Sequence, residues 1–440
     1  MSQALMYRRP PMAARGASIQ NRPHHRFMIL GFLIVLCCPI TIAFYAGPLL
    51  ITPYRIFMIV LFPYFFLTLF SDKSLKVGMA DFCVLLFAVW SAFCTVKNIG
   101  DGVQRSGQYF LETVCAYLLA RVTVRSIADV IYFLKLMFGF SVVAFALAVP
   151  EAITHNKFIM DSTSALTGIP YGQYAPGTDI RLGMRRPQAF FSNTILYGIF
   201  CASCISLFWY TTKATASRLF KTVVLTVATF FSLSSAPLLE MNVQFIMILG
   251  EYFTRGIKGR VPITLILTGM VTVVTNIGTN SGVVGFIINH LTFNSASAYN
   301  RILIWNWGVF NIKQHPIFGL DVDNWVRPYF MKPSCDNYWI VITMIGGIPA
   351  LTFMLTAMGI IMWRFGKIDV KRLPPIYTNF RIGWFFSYIA FAFTGFSVMF
   401  FGGIQPLYFF LLGLAAAAVP IYQRAVRTEL MDRRQQYALS

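Results

Sequence analysis

Long apolar blocks alternate with short polar segments along this chain, and the polar segments carry most of the charge. A transmembrane helix needs about 17–25 predominantly apolar residues, and twelve blocks approach or reach that length. They lie at residues 27–45, 50–70, 80–96, 109–122, 127–149, 191–211, 217–234, 237–253, 261–277, 337–363, 382–400 and 403–422. The pattern predicts an all-α polytopic membrane protein with about twelve transmembrane helices.

Two of the polar segments, at 150–190 and 278–336, are much longer than the others. Loops longer than about 12–15 residues without regular structure are usually functional or disordered. The stretch from 299 to 347 is too rich in Trp, Phe and Ile to be disordered. We therefore expect the chemistry of the protein in the long loops.

Composition supports the membrane assignment and removes a competing interpretation. The 440 residues are 57% hydrophobic and only 12% charged, whereas a soluble domain carries about 25% charged residues. The net charge of +20 invites comparison with nucleic-acid-binding proteins, but the basic residues are spread over the ends of the apolar blocks. No nucleic acid partner is expected.

The distribution of basic residues predicts the orientation of the helices. If the polar segments are assigned alternately to two sides, one side receives 24 of the 36 Lys and Arg residues and all the short basic loops. That side is predicted to be cytoplasmic. The chain then consists of a basic cytoplasmic tail at 1–26, a transmembrane domain at 27–423 and a cytoplasmic tail at 424–440. Both long loops lie outside, where no nucleotide sugar is available.

Three arginines in the first long loop, Arg181, Arg185 and Arg186, break this charge pattern because they lie just outside a span. Their guanidinium groups can snorkel to lipid headgroups. They can also grip a phosphate through paired N–H groups, for which guanidinium is better suited than ammonium. Ser192 and Asn193 follow where a helix would begin, so backbone N–H groups there are available to the same anion.

A further arginine, Arg55, lies inside the second predicted span near its outer end. A charged residue within a membrane helix is costly and marks a functional candidate unless it snorkels to the surface. Glu112, near the outer end of the fourth predicted span, is its predicted partner.

The second long loop contains a segment with helical periodicity between residues 301 and 313. Its apolar positions are Ile302, Trp305, Val309 and Ile312. They predict a helix on the membrane surface with Trp at headgroup level. Arg301, at the start of this helix, can then reach a lipid phosphate.

Further residues in this loop are candidates for acid–base or metal chemistry. His315 precedes a proline and is either a general base or part of a structural turn. Asp336 and Asn337 directly precede the tenth span, where they can act on substrate or cap the helix. Asp321-Val-Asp323 matches the acidic pair of metal- and nucleotide-dependent glycosyltransferases, but the pattern is short and lies outside. No metal and no cofactor is expected.

Five sequence segments occur in order between about residues 185 and 350. They are Arg186-Pro-Gln-Ala-Phe-Phe-Ser-Asn-Thr-Ile-Leu-Tyr-Gly198, Phe231-Ser-Leu-Ser-Ser-Ala-Pro237, Arg301-Ile-Leu-Ile-Trp305, His315-Pro-Ile-Phe-Gly319 and Asp336-Asn-Tyr-Trp339 followed by Gly346-Gly347. In this order and spacing they resemble the O-antigen ligase and Wzy-type polysaccharide polymerase superfamily, in particular the exopolysaccharide polymerases of xanthan-like systems. The first third of the chain is similar in hydropathy only.

The resemblance implies a metal-independent glycosyltransferase of a bacterial inner membrane that uses a polyprenyl-diphosphate-linked glycan as donor. Polymerases of this kind move the growing glycan from its lipid diphosphate to the next lipid-linked repeat unit on the periplasmic face. The implied partners are the lipid-linked oligosaccharide, membrane lipid, and a chain-length regulator with an export complex.

Two departures from the family patterns bear on this expectation. Ligases carry a His-Asn pair where this chain has Asp336-Asn337, which favours a polymerase over a lipopolysaccharide ligase. Polymerases are associated with an Arg and a Gly separated by ten residues, whereas eleven residues separate Arg186 from Gly198.

The resulting hypothesis assigns a role to each candidate residue. Arg186 and Arg301 hold the diphosphate, because guanidinium groups can neutralise the charge that develops on the leaving group. Asp336 is the first choice of general base toward the acceptor hydroxyl, and His315 is the second. The supporting residues are Arg181, Arg185, Arg55, Glu112 and Asn337.

Two other functions stay open from the sequence. One is transfer to a different acceptor, as in an O-antigen ligase. The other, from a different class, is a flippase or transporter of lipid-linked oligosaccharide. Transporters favour internal repeats and polar sites near the middle of the bilayer. The two halves of this sequence show no repeat, and both long loops fall on one side.

Overall fold

The computed structural model describes residues 23–47, 49–100, 102–172, 179–254 and 295–439. Six helices within these ranges are long and apolar enough to cross a membrane: Pro53–Ser71, Met79–Asn98, Ile127–Thr154, Thr194–Thr211, Tyr338–Lys367 and Ile404–Arg433. The prediction of a mainly helical membrane protein is confirmed, whereas the predicted number of twelve spans is not. The predicted span at 261–277 lies outside the described residues.

Although the predicted span at 27–45 is helical only to Leu36 and ends in the strand Phe44–Ala46, most of the observed helices overlap the apolar blocks of the sequence. Numbered along the described residues, they are α1 (Pro23–Leu36), α2 (Pro53–Ser71), α3 (Met79–Asn98), α4 (Gly102–Phe110), α5 (Ala116–Thr123), α6 (Ile127–Thr154), α7 (Phe158–Thr167), α8 (Thr194–Ala202), α9 (Ile205–Thr211), α10 (Thr215–Phe231), α11 (Ser235–Phe253), α12 (Ser295–Gln314), α13 (Tyr338–Lys367), α14 (Pro375–Thr394) and α15 (Ile404–Leu439). A π-helical turn, Leu111–Cys115, joins α4 to α5. Two antiparallel hairpins pair β1 (Phe44–Ala46) with β2 (Leu49–Ile51) and β3 (Ile180–Arg181) with β4 (Met184–Arg185).

Several predicted segments are modified in the fold. The predicted span at 191–211 is divided at Ser203 and Cys204 into α8 and α9. The predicted loop at 150–190 contains the end of α6 and the whole of α7. Helix α15 continues to Leu439, so the residues predicted as a C-terminal tail extend the last helix.

The core centres on α15, which is the most completely buried of the candidate spans. Gly413 allows α15 to approach α5, because a Cβ at this position would lie 2.4 Å from the carbonyl oxygen of Tyr117. On another side, the Tyr408 ring of α15 stacks at 5.0 Å on Tyr388 of α14, which stacks at 4.9 Å on Trp384. Helix α15 thus fixes the positions of α5 and α14 relative to each other.

A kink in α13 at Gly347 positions the second long loop. Gly347 has a φ of +66°, and a Cβ at this position would lie 2.2 Å from the carbonyl oxygen of Ile317. The Ile348 N–H donates to the carbonyl of Pro316 at 2.7 Å. The segment after α12 is therefore tied to the backbone of α13 at a point where only glycine fits.

Replacing Gly347 by alanine is expected to destabilise the protein by about 2–3 kcal/mol, because the methyl group meets Ile317 and the backbone becomes strained. The measurement is the midpoint of thermal unfolding in detergent. Gly359→Ala is the matched control on the same helix, since a Cβ there meets nothing within 4 Å. It is expected to unfold at or above the wild-type midpoint. Equal midpoints for the two variants would contradict the proposed role of the kink.

Helix α12 packs across the first half of α13 and builds a small second core. The buried residues of this second core are Ile304, Trp325, Met331, Cys335, Ile340, Val341 and Met344. Gly308 permits the contact, because a Cβ there would lie 2.4 Å from Cγ2 of Ile340. The predicted helix at 301–313 is confirmed, but its most buried residues are Ile304, Gly308 and Asn311, while Trp305 of the predicted apolar stripe is 39% exposed. The position of this helix on the membrane surface stays a prediction.

Candidate functional site

Most of the predicted site residues lie at one end of the helix bundle, where α3 ends and α13 and α15 begin. We call this the site end. The segment 395–405, which runs from the end of α14 into the first turn of α15, connects its parts. The Asn337 side chain donates to the carbonyl of Phe396 at 2.9 Å, and a Cβ on Gly402 would lie 3.7 Å from Oγ of Ser192. One short segment thus contacts the predicted residues that precede α13 and α8.

Arg55 forms the predicted ion pair with Glu112. Its Nε donates to Oε1 of Glu112 at 3.1 Å, and the Tyr54 hydroxyl donates to the same oxygen at 2.9 Å. Glu112 lies in the π-helical turn, an irregularity that is frequent at functional sites. The Arg55 side chain is only 18% exposed, so it turns toward the protein instead of snorkelling. Gln405 of α15 contacts Thr113 in the same turn at 3.4 Å, which joins the pair to segment 395–405.

Arg181 and Arg186 both reach the turn between α10 and α11. Nη1 of Arg181 donates to the carbonyl of Leu233 at 2.7 Å, and Nη2 of Arg186 donates to Oγ of Ser234. Leu233 has a φ of +47°, which is uncommon for a residue other than glycine. Gly198 of α8 lies against the same turn, where its Cβ would be 2.5 Å from Cγ of Pro237. The first two family-like sequence segments therefore meet at this turn.

Arg185 shares the carboxylate of Asp179 with a buried lysine. Nε of Arg185 donates to Oδ2 of Asp179 at 2.7 Å, and Nζ of Lys157 lies 3.9 Å from the same oxygen. Nζ of Lys157 also donates to Oε1 of Gln188 at 2.8 Å. Burial lowers the pKa of Lys157, and the positive charge of Arg185 lowers it further. No motif in the sequence marks Lys157 or Asp179, and only the fold brings them to the arginines.

Glu151, near the end of α6, is a further functional candidate that is absent from the sequence-based hypothesis. Its Oε2 accepts hydrogen bonds from the backbone N–H groups of Gln188 and Ala189, both at 2.9 Å. Ala189 has a φ of +51°, so the carboxylate holds the backbone after Arg186 in an uncommon conformation. The signal in the sequence is an isolated carboxylate at the end of an apolar block, directly after Pro150.

Replacing Glu151 by alanine is expected to lower the free energy of unfolding by about 2–4 kcal/mol, because two buried backbone N–H groups lose a charged acceptor. Glutamine keeps an acceptor oxygen and is expected to cost less than alanine. Thermal unfolding in detergent measures both variants. Glu429→Ala is the control, since Glu429 lies in a solvent-exposed pair with Arg433. A wild-type midpoint for Glu151→Ala would show that these hydrogen bonds do not hold the segment.

Asp336 and Arg301 form the second part of the candidate site. Asp336 is exposed just before α13, yet the surrounding protein partly desolvates its carboxyl and raises its pKa, against opposing effects of Arg301 and Lys332. Arg301 is half-buried on α12, where burial lowers its pKa and the charge of Asp336 acts in the opposite direction. Arg301 makes no hydrogen bond or ion pair with any residue that the structure describes, so its N–H donors face no competing protein acceptor there.

Asn337 has the capping role that the sequence left open. Its side chain accepts a hydrogen bond from the backbone N–H of Ile340 at 3.0 Å, which satisfies a donor in the first turn of α13. The ring of Phe396, whose carbonyl binds Asn337, lies 6.3 Å from the ring of Trp305. Asn337 therefore fixes the start of α13 and the adjacent segment next to α12.

The fold does not place His315 next to Asp336. The histidine is exposed at the end of α12, and the residues that follow it contact the Gly347 kink. Asp336 precedes the first turn of α13, and the kink at Gly347 lies about 14 Å beyond Tyr338 along the helix at 1.5 Å per residue. The two candidate bases are thus alternatives and do not form one catalytic pair.

The acidic pair of the second long loop, Asp321 and Asp323, makes hydrogen bonds and an ion pair within the protein. Oδ2 of Asp321 accepts from Nδ2 of Asn324 at 2.7 Å, and its Oδ1 accepts from the backbone N–H of Asp323 at 3.1 Å. Asp323 forms an ion pair with Arg105. Asp321 therefore stabilises the loop, and Asp323 attaches it to α4.

The site end combines several guanidinium groups with an exposed carboxylate next to a membrane-spanning helix bundle. Such an arrangement can bind an anionic lipid-linked group and accept a proton from a hydroxyl. Comparison with protein-family models finds no match, and comparison with curated proteins finds no similar sequence.

Proposed function

We propose that this protein polymerises lipid-linked oligosaccharide repeat units, by moving the growing glycan from a polyprenyl diphosphate to the next lipid-linked unit. The observation that carries the proposal is the placement of Arg301, which makes no hydrogen bond or ion pair within the described residues, in electrostatic reach of the exposed carboxylate of Asp336 at the site end. The proposal includes a bacterial inner membrane and reaction on its periplasmic face.

The proposed reaction exchanges one bond at the anomeric carbon of the donor glycan. The acceptor hydroxyl oxygen attacks this carbon while its proton passes to the carboxylate of Asp336. The bond from the anomeric carbon to the diphosphate oxygen breaks, and the diphosphate leaves with the electron pair. Arg301 neutralises the negative charge that develops on the leaving group.

The arginines of the first long loop are assigned a supporting part in this reaction. Arg181 and Arg186 already bind the turn at Leu233 and Ser234, and Arg185 binds Asp179. Their charges nevertheless raise the positive potential at the site end, which attracts a diphosphate. We therefore propose Arg301 as the primary contact to the leaving group, with Arg186 next in importance. The Arg55–Glu112 pair, which is electrically neutral, is proposed to hold the helices in position.

Reconstitution with a defined donor tests the proposed function. Purified protein in liposomes is supplied with polyprenyl-diphosphate-linked oligosaccharide, without nucleotide and in the presence of a metal chelator. The expected result is a ladder of products spaced by one repeat unit. Protein carrying Asp336→Asn, prepared in the same way, is the matched control. Unchanged donor in the wild-type reaction would contradict the proposal.

The same assay separates polymerisation from transfer to another acceptor. A polymerase extends its own lipid-linked substrate and produces the ladder. A ligase-type enzyme instead needs a second glycolipid and adds one glycan to it. A single transfer product that appears only with the second glycolipid would assign the protein to that reaction.

A transporter is the second candidate function, and a buried carboxylate favours it. Glu240 in α11 is fully buried, and neither of its carboxylate oxygens meets a hydrogen-bond partner among the described residues. It lies near Cys204, where α8 and α9 are separated. Intramembrane carboxylates and interrupted helices occur in proton-coupled transporters. Deletion of the gene distinguishes the two functions, because loss of a polymerase leaves single repeat units outside, whereas loss of a flippase traps them inside.

A further inference from the structure

A cavity of about 650 Å³ opens at the opposite end of the bundle from the site end. It lies between α3, α5, α13 and α15, where α3 begins and α13 finishes. The charged residues that line it are Lys76, Arg121, Arg364, Lys367 and Asp81, which give its wall a net charge of +3. These residues belong to the loops and helix ends that the charge pattern predicts to be cytoplasmic.

Asp81, the acidic residue among the described residues of the wall, accepts hydrogen bonds at both of its carboxylate oxygens. Oδ1 of Asp81 accepts from the Tyr117 hydroxyl at 2.7 Å and from Nε of Arg121 at 2.9 Å. Its Oδ2 accepts from the Gly78 N–H at 2.8 Å and from Nη2 of Arg121 at 3.1 Å. The buried Asp81–Arg121 pair is therefore electrically neutral, and the other basic residues supply the positive charge of the cavity.

Three basic side chains around the cavity have no acidic partner within the described part of the chain. Lys76, Arg364 and Lys367 are exposed, and none forms an ion pair with a carboxylate of the described residues. The Arg364 guanidinium lies against Gly78, where a Cβ would be 2.7 Å from its Nη1. The absence of a side chain at position 78 thus leaves space for Arg364 at the cavity.

Apart from Tyr117 and Gln423, the rest of the wall is apolar. Ile361 of α13 and Val419 of α15 line the cavity. Trp363, which also lines it, is 63% exposed, and its ring lies 4.8 Å from Nζ of Lys367. Exposed Trp beside Lys is typical of the headgroup level of a bilayer. The cavity therefore combines an apolar wall with a cationic rim.

We propose that this cavity binds one anionic phospholipid, with Arg364, Lys367 and Lys76 around its phosphate and an acyl chain along the wall formed by Ile361 and Val419. Basic pockets between transmembrane helices on the cytoplasmic side recognise anionic headgroups in this way. A free phosphate ion would use the charges but leave the apolar wall unfilled. The proposed lipid site is separate from the site end and does not depend on the function proposed there.

Titration of the purified wild-type protein with single lipids tests the site directly. Native mass spectrometry counts the bound lipid molecules in detergent as phosphatidylglycerol or phosphatidylcholine is added. One molecule of phosphatidylglycerol is expected to bind about tenfold or more tightly than phosphatidylcholine, because each basic residue near an anionic headgroup contributes about fivefold. Equal binding of the two lipids would overturn the proposal. So would displacement of phosphatidylglycerol by inorganic phosphate at equal concentration.

A pair of double variants tests the location of the site. Arg364→Gln with Lys367→Gln is expected to weaken phosphatidylglycerol binding about tenfold or more. Lys371→Gln with Arg372→Gln is the matched control, because it removes the same charge from exposed residues that do not line the cavity. The control is expected to change binding less than about twofold. An equal loss in both double variants would show a diffuse attraction to the surface and would overturn the assigned site.

Discussion

Replacing Asp336 by asparagine is expected to lower the rate of glycan extension about 10²–10⁴-fold, the usual contribution of a positioned general base. Asparagine has nearly the same shape but cannot take the proton of the acceptor hydroxyl. Because Asp336 is exposed and lies outside both buried clusters, the amount of folded protein should not change. The measurement is the initial rate of chain extension by the reconstituted protein, with yield and unfolding midpoint determined in parallel.

Asp323→Asn is the matched control for this variant. It makes the same change of carboxylate to amide in the same loop, at an exposed residue paired with Arg105. Its rate is expected to stay within about twofold of wild type. Normal polymer length and yield with Asp336→Asn would remove Asp336 from the mechanism. If His315→Gln then abolished extension, His315 would take its place as the base.

The pH dependence of extension offers a second test of Asp336. Its pKa is raised by partial desolvation, so the carboxyl takes up a proton at a higher pH than an ordinary aspartate, whose pKa is about 3.9. The protonated carboxyl cannot act as a base, and activity is therefore expected to fall as the pH decreases through this raised value. The residual activity of Asp336→Asn is expected to lack this acidic decline. The same decline in both proteins would assign it to another group.

Replacing Arg301 by lysine is expected to lower the rate about 10²–10³-fold, although the positive charge is kept. An ammonium group cannot offer the planar pair of donors that matches two phosphate oxygens. The value of kcat is expected to fall more than the KM for the lipid-linked donor rises, because the contact strengthens as charge develops on the leaving group. Steady-state rates at several donor concentrations separate the two parameters.

Arg427→Lys is the control for this substitution. Arg427 is exposed on α15, at the end of the bundle remote from the site end, and the same change there is expected to leave the rate unaltered. Full activity of Arg301→Lys would reduce Arg301 to an anchor at the membrane interface. A loss confined to KM would mean that Arg301 binds the donor without stabilising the transition state.

The helices and one buried contact could be predicted from the sequence because local patterns specify them. Apolar blocks set the approximate bounds of α2, α3 and α13, since a helix that faces lipid needs apolar residues along its length. The Arg55–Glu112 pair follows from the cost of an isolated charge within a span, which requires a partner at similar depth.

Other parts of the candidate site depend on contacts between distant segments and leave little trace in the sequence. Arg181 and Arg186 bind a turn that lies about 50 residues further along the sequence. These hydrogen bonds depend on how α8 packs against α11. In the sequence Lys157 resembles an ordinary loop residue, whereas in the structure it is fully buried beside Asp179. The buried face of α12 differs from its apolar stripe because Gly308 lets α13 approach on another side.

The central position of α15 has a consequence for how the protein is made. Ribosomes synthesise this helix after all the others that the structure describes, yet it is the helix that fills the core. The candidate spans that precede α15 are therefore synthesised before the helix on which the core centres. Segment 395–405 contacts Ser192 and Thr113 only once α15 is inserted. If the proposed function holds, a nascent chain is expected to be inactive until α15 is inserted.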